Sequence, residues 1–271
     1  MSVTIVNGWI KEALGIYYPN LSFGPFAQGQ PRWGVLHGTA SGIGSTAENI
    51  ANTWRVESAN GTGNASTHLL IDKDGTMVQG LPFTVTAWGN SGAPDSPRAS
   101  YLPTTNLNFF TISIEHVKWD TQRNSDILTP LQQLSSFQAC KAISAFTGIP
   151  AKVVTVDDVS QGGWIRHADC DAKNRSFCPG PYPFAALSEF LRGETMGPHI
   201  QQTLTDIWGT TYKTGTGIYT EWSKQAVQGH FKGAPSSTEY PCHNPDTGVA
   251  TVAQNFGSNT CLWNSGNPAW M

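Results

Sequence analysis

WGVLHGTASGIGS, residues 33–45, is the stretch on which the fold turns. Its first residues, Trp33-Gly34-Val35-Leu36, form an apolar run of the kind that makes a buried strand. The run stops at His37, and a loop of glycine, serine and threonine follows at once. A strand that delivers an imidazole to the mouth of an open loop is a common way to build a site. It is also a common way for a strand simply to end, so the flanking sequence has to separate the two.

Downstream, STAENIANTW (residues 45–54) predicts a short helix with Ser45 as N-cap and Glu48 at the reciprocal capping position. STHLLI (66–71) reads as a strand, Asp74-Gly75 as a hairpin turn, and TMVQGLP as the returning strand. FTISIEHV (110–117) is β-branched and aromatic, a central strand. Residues 129–147 are the clearest helix, with Thr129 as N-cap, Pro130 at the first helical position and Gly148 as the stop. Leu131, Leu134, Phe137, Ala142 and Ile143 give it one core face. Strands flanked by long helices predict an α/β or α+β domain over residues 1–195. Residues 196–217 lose the periodicity and read as a linker, with a helical turn around Ile200 to Ile207. Residues 218–271 form a small unit rich in Trp, Gly, Asn and Pro, whose core would be marginal unaided.

Composition narrows the function. The chain has 271 residues, 39% hydrophobic and 13% charged, with 28 Gly and 17 Pro, which suits a folded, loop-rich protein. A net charge of −3 gives no basic field for nucleic acid or an anionic membrane. No apolar run approaches the ~20 residues of a membrane span, and MSVTIVNGWIKEALG lacks the pattern of a secretory signal peptide. No nucleic acid, no membrane insertion and a monomeric state are the corresponding expectations. Of the five cysteines, Cys242 could pair with Cys261 and Cys140 with Cys170, leaving Cys178 over.

Catalytic zinc takes three protein ligands and keeps one position open. His37 ends a strand, His167 follows the apolar pair in GGWIRHADC, and Cys178 opens the rigid turn Cys178-Pro179-Gly180-Pro181. Asp169, Cys170 and Asp171 are rival ligands close to His167. Glu115 sits at an alternate position of the otherwise apolar Thr111-Ile112-Ser113-Ile114-Glu115, where a carboxylate is costly to bury. It is either an outward-facing residue of an edge strand or a general base beside a metal-bound water.

Taken together, WGVLHGTAS, STHLLIDKDGTMVQGLP with TAWGN, NFFTISIEH and RHADCDAKNRSFCPGP resemble the zinc-dependent N-acetylmuramoyl-L-alanine amidases of the type 2 amidase and peptidoglycan-recognition-protein family. They occur in family order across about residues 30–190. The resemblance implies an α/β fold with a mixed central β-sheet flanked by helices. It implies Zn2+ held by His37, His167 and Cys178, with Glu115 as the group that activates water. The substrate would be peptidoglycan, cut between the lactyl group of N-acetylmuramic acid and the L-alanine of the stem peptide. Trp88, Asn90, His68 and Asn108 are the expected substrate contacts. The position two residues before the third ligand, which stabilises the oxyanion, falls on Ser176, with Arg175 beside it as the other candidate. Thr67 stands where some members carry a catalytic tyrosine, and Gly89-Asn90 follows Trp88 where the family often has histidine. Recognition proteins on this fold typically lose the cysteine ligand, which is kept here.

The C-terminal unit resembles, more weakly, the LGFP-type repeats of cell-wall proteins, through Ile218-Tyr219, Trp222, KGAPSSTE, Asn255-Phe256 and Leu262-Trp263. That implies either a wall-binding module or an extension that only packs on the catalytic domain. A catalytic domain, a wall-binding tail and no signal peptide together fit a phage endolysin, made in the host cytoplasm and released through a holin-type lesion. A non-catalytic peptidoglycan-recognition or binding protein, a bacterial autolysin and a recycling amidase are the alternatives.

Overall fold

The run that opens at Trp33 becomes strand β4 (Trp33–Gly38), buried at every position. It lies between β7 (Thr111–His116) and β8 (Gly163–Arg166) and is parallel to both. A parallel strand covered on both faces needs apolar residues throughout, which is why its sequence does not alternate. A computed structural model describes residues 3–90, 95–155 and 161–193, then 202, 204–207, 217–227, 235, 240–243, 250–256, 259–264 and 267–270.

The central sheet has the order β3–β6–β5–β7–β4–β8, with β3 at Leu14–Gly15, β5 at Leu69–Ile71 and β6 at Met77–Gln79. Only β5 and β6 pair antiparallel, through the Asp74-Gly75 turn with Gly75 at φ +86°. The sheet is therefore mixed, as expected. Helix α1 (Ala47–Ala59) begins later and runs further than the sequence suggests. Thr46, not Ser45, caps it, accepting from the Asn49 N–H at 3.2 Å, while Ser45 donates to the Ser41 carbonyl. Helix α2 (Pro130–Thr147) has the expected ends, Thr129 and a left-handed Gly148. Its buried Gln132 Nε2 donates to the carbonyls of Ile71 and Val117 at 2.9 and 3.2 Å, tying the helix to β5 and to the end of β7.

Several elements of this unit gave no sequence signal. Strands β1 (Ile5–Val6) and β2 (Trp9–Ile10) form a hairpin. It is fastened to β6 by Gln79, which accepts from the Ile10 N–H at 2.7 Å and donates to the Gly8 carbonyl at 2.8 Å. Helix α3 (His167–Cys170) follows β8 directly, and α4 (Phe184–Arg192) packs on α2, with the Phe137 and Phe190 rings 5.7 Å apart.

Contacts divide the chain into Thr4–Arg192 and a second unit of Met1–Val3 with Gly193–Met271. In the second unit, α5 (Gly217–Val227) buries Ile218, Tyr219 and Trp222. Strands β9 (Tyr240–His243), β10 (Ala250–Phe256), β11 (Asn259–Asn264) and β12 (Asn267–Trp270) form an antiparallel sheet in that order. Pro241 and Pro268 sit on its two edge strands, where a missing N–H is tolerated. Most of the 196–217 linker and of KGAPSSTE lies outside the described residues; within the expected turn, residues 204–207 are helical.

Neither cysteine pairing is made. Cys140 and Cys170 are buried thiols. Cys242 faces Thr251 and Cys261 faces Gln254 on opposite sides of β10. Two strand spacings of ~4.8 Å exceed the ~7 Å Cα–Cα limit of a disulfide.

Gly34 and Trp164 are register partners on β4 and β8, and a Cβ on Gly34 would stand 2.3 Å from the Trp164 ring. Trp164 is wholly buried and its Nε1 donates to Ser144 Oγ at 3.0 Å, so it has no route of retreat. Gly34→Ala should therefore lower stability by about 3 kcal/mol or more. A urea denaturation midpoint equal to that of the parent would show the contact to be soft.

Candidate metal centre

The β4–β7 register sets His37 directly beside Glu115. Arg166 at the end of β8 is registered with Leu36, so His167, the next residue, arrives at the same edge of the sheet. Cys178 comes from the loop beyond α3: its carbonyl accepts from the Ala168 N–H at 3.0 Å, and its Sγ accepts from the Gly38 N–H at 3.4 Å. One ligand atom from each of His37, His167 and Cys178 lies within 4.8 Å of the others, and all three residues are buried. The His37 and His167 rings have centroids 4.1 Å apart. Among the described residues no other group of His, Cys, Asp and Glu is so disposed. The rivals are engaged elsewhere. Asp169 clamps Arg166 at 2.7 Å, Asp171 accepts from Ser96 Oγ and from the Asn174 N–H, and Cys170 packs with Trp33, Val35 and Ile165.

Two imidazoles and a thiol suit a borderline-soft cation that prefers nitrogen and sulfur, so the cluster could hold a metal ion. Burial depresses the pKa of His37 well below the usual value, helped by His167 and opposed by the bond to Asn90. Burial and then Arg175 take His167 down to about 3. Both rings are thus neutral, the state in which imidazole ligates. Burial, with Glu115 next, pushes Cys178 up to about 12, against the pull of the Gly38 N–H, Arg175 and Lys118. Burial raises Glu115 to about 8, with Arg175 opposing. Glu115 Oε1 lies 3.8 Å from His37 Nδ1, and its buried Oε2 has no hydrogen-bond partner.

A family model described as N-acetylmuramoyl-L-alanine amidase matches residues 27–181, more than half of the chain. The chain belongs to this family. It is an enzyme, a peptidoglycan amidase hydrolysing the N-acetylmuramoyl–L-alanine bond. No curated protein sequence matches it. Among solved structures, a crystal structure of a selenomethionine AmpD derivative is similar at 21% identity and TM-score 0.50, over 69% of this chain and 98% of that one. The solution structure of Citrobacter freundii AmpD aligns at 22% identity and TM-score 0.45, over 69% and 94% of the two chains. The endolysin N-acetylmuramoyl-L-alanine amidase LysCS from Clostridium intestinale URNW aligns at 19% and 0.44, over 68% and 98%. The AmpD derivative shares the amidase fold.

Around the amidase cluster, the other expected site residues separate into two groups. Arg175 and Ser176 are exposed. The Arg175 charge bears on His37, Glu115, His167 and Cys178 together. Ser176 lies on the wall of a cavity of about 360 Å³ with Arg123, Phe177 and Pro181. Trp88 is half-buried and tilts against Phe23, ring centroids 5.2 Å apart. By contrast, Asn90, Asn108 and His68 are buried and turned inward. Asn90 Oδ1 meets His37 Nε2 at 2.6 Å, and Asn108 Oδ1 accepts from the Asn90 N–H at 2.7 Å. His68 Nε2 donates to the Val85 carbonyl at 2.8 Å while its Nδ1 accepts from the Ser113 N–H at 3.1 Å. Their hydrogen bonds go to the protein rather than to a groove.

Two further buried residues lie beside the cluster. Lys118 Nζ donates to the carbonyls of Asn124 and Pro181 at 3.2 and 2.9 Å. His116 Nδ1 donates to the His37 carbonyl at 2.8 Å, and its Nε2 accepts from Ser136. His116 ends β7 beside Glu115 and Lys118 lies two residues beyond that end, yet nothing in the sequence distinguishes Lys118 from a surface residue.

Burial lowers His68 from 6.5 to about 4, with the Val85 bond opposing. The unfolded chain takes up a proton below pH 6.5 that the folded chain refuses until about pH 4. The stability His68 contributes is thus complete above pH 6.5 and lost as pH falls to about 4. His68→Gln should flatten the pH dependence of unfolding free energy in that window by roughly 1.4 kcal/mol per pH unit. An unchanged slope in urea titrations at several pH values would contradict this.

Proposed function

We propose that the enzyme is a zinc amidase of the lytic, endolysin type, with His37, His167 and Cys178 as metal ligands and Glu115 as general base and acid. The observation that carries this reading is the buried His-His-Cys cluster beside a carboxylate with an unpartnered oxygen. Zinc bound there would polarise the lactyl carbonyl and acidify a water. Glu115 takes that water's proton on Oε2 and hands it to the amine of L-alanine as the C–N bond breaks. Burial pushes the Glu115 carboxyl upward and a bound cation would pull it back down, which suits a group that must both take and give a proton. Arg175 is better suited than Ser176 to stabilise the tetrahedral oxyanion, because its charge reaches all four groups of the cluster. A hollow of about 440 Å³, lined by Ser41, Ile43, Ser45, Asn49, Ile50, Thr53 and Trp54 on the loop and helix that follow β4, offers both polar and apolar contacts to a muropeptide. Asn90 and Asn108 support the cluster from behind rather than touch substrate, and His68 is packed between Phe26 and Phe83.

Purified peptidoglycan treated with the zinc-loaded enzyme should release stem peptides beginning at free L-alanine, detected by mass spectrometry. Chelation should stop release and zinc restore it. Glu115→Gln should cost about 10²–10⁴-fold in rate with zinc content unchanged. Walls left intact with protein bound to them would move the assignment to a recognition protein.

The unit from Gly193 onward is assigned to wall binding, on the strength of its compactness and its LGFP-like residues. Truncation after Arg192 should leave cleavage of soluble muropeptides intact and abolish co-sedimentation with walls. Co-sedimentation equal to that of the full chain would reduce the unit to packing.

A further inference from the structure

We infer that Asn90 is a positioning residue that locks His37 in the Nε2–H tautomer and so presents Nδ1 to the metal. The inference rests on the zinc reading above. Its basis is a chain of hydrogen bonds whose directions leave one solution. The Leu107 carbonyl can only accept, so the bond of 2.8 Å from Thr111 Oγ1 is donated by the Thr111 hydroxyl. With its proton committed, Thr111 Oγ1 meets the Asn90 side chain at 2.8 Å as an acceptor, and the group donating to it must be the amide Nδ2. The orientation of the Asn90 amide is thereby fixed, with Oδ1 turned to His37 Nε2 at 2.6 Å. An amide oxygen only accepts, so the proton sits on Nε2 and the lone pair on Nδ1. Nδ1 is the nitrogen on the Glu115 side of the ring, 3.8 Å from Oε1.

The relay is built into the fold. Asn90, Thr111 and His37 are buried, and Thr111 and His37 lie on the adjacent strands β7 and β4. The Asn90 backbone N–H is held by Asn108 Oδ1, and the Asn108 backbone N–H donates in turn to Asn106 Oδ1 at 3.0 Å. The second ring nitrogen of a ligating histidine commonly donates to a carboxylate or carbonyl, which orients the ring and sets its basicity. Here a side-chain amide takes that role, and a threonine hydroxyl keeps the amide from flipping.

The test uses the full chain. Long-range 1H–15N correlation spectra of the chelated protein at neutral pH should show His37 as the Nε2–H tautomer; an Nδ1–H pattern would overturn the inference without reference to zinc. Zinc affinity, measured by competition with a chromophoric chelator, should fall about 10–100-fold in Asn90→Leu, which keeps the volume and removes the acceptor. Asn90→Asp restores an acceptor toward Nε2 and should stay within a few fold of the parent, a rescue that a purely packing role would not give. Parent-like affinity in Asn90→Leu, or equal loss in both variants, would refute the assignment. Absence of zinc binding by the parent itself would instead remove the zinc reading, and the role of Asn90 with it.

Discussion

The position of β4 between two parallel neighbours is the constraint on which the site depends. Pairing with β7 sets His37 level with Glu115, and pairing with β8 brings in His167 one residue beyond the last paired position. A slip of one residue in either ladder would turn the side chains to the opposite face and scatter the cluster. Packing prevents the slip. Trp164 lies over Gly34, the position in β4 where a side chain would collide with it, and its indole N–H reaches Ser144 on α2. The register is thus keyed by one large residue, one absent side chain and one helix. The site lies where the chain leaves the carboxyl ends of parallel strands, the usual place for ligands in an open α/β sheet.

The third proposed ligand has no strand to deliver it. Cys178 is brought by a loop, and the loop is held by buried polar contacts rather than by a ladder. Lys118 extends from the end of β7 and bridges the carbonyls of Asn124 and Pro181. Asn124 in turn takes the Ala40 N–H on its side chain at 2.9 Å, which joins the loop after β4 to the same clip. Gly180 passes so close to Asn124 that a Cβ would stand 1.9 Å from its carbonyl oxygen. Burying an ammonium is costly, and the cost is offset only because its donors meet carbonyls at good distances. The same cation lies near enough to Cys178 to oppose the rise in the thiol's pKa.

What the sequence revealed follows from where each signal lies. His37, Glu115 and His167 stand out because each interrupts or ends an apolar strand run, and Cys178 because Pro-Gly-Pro follows it. The helix at 129–147 was readable to the residue because both of its ends carry capping chemistry. Strands β1 to β3 are two residues each, too short for a period to register. In the C-terminal sheet, Pro241 and Pro268 argue against strands until it is known that both lie on edges, which is tertiary information. Asn90 illustrates the limit most directly. In sequence it is one polar residue in a Gly- and Ser-rich loop beside Trp88, a natural guess for a substrate contact. Its actual partners, His37 and Thr111, are brought to it by two different strands.

The cluster also has an electrostatic logic beyond its shape. Burial acts on every member in the direction of neutrality, lowering the histidines and raising the glutamate and the thiol. A pocket of neutral donors with Arg175 at its edge is poor at holding a bare proton or a monovalent cation. It suits an ion whose charge is large enough to displace the thiol proton and bind the thiolate. Metal binding would then release a proton from Cys178 and place a positive charge beside Glu115, which favours its carboxylate. The burial that keeps the metal-free cluster uncharged would therefore couple the loading of the site to the arming of the proposed base.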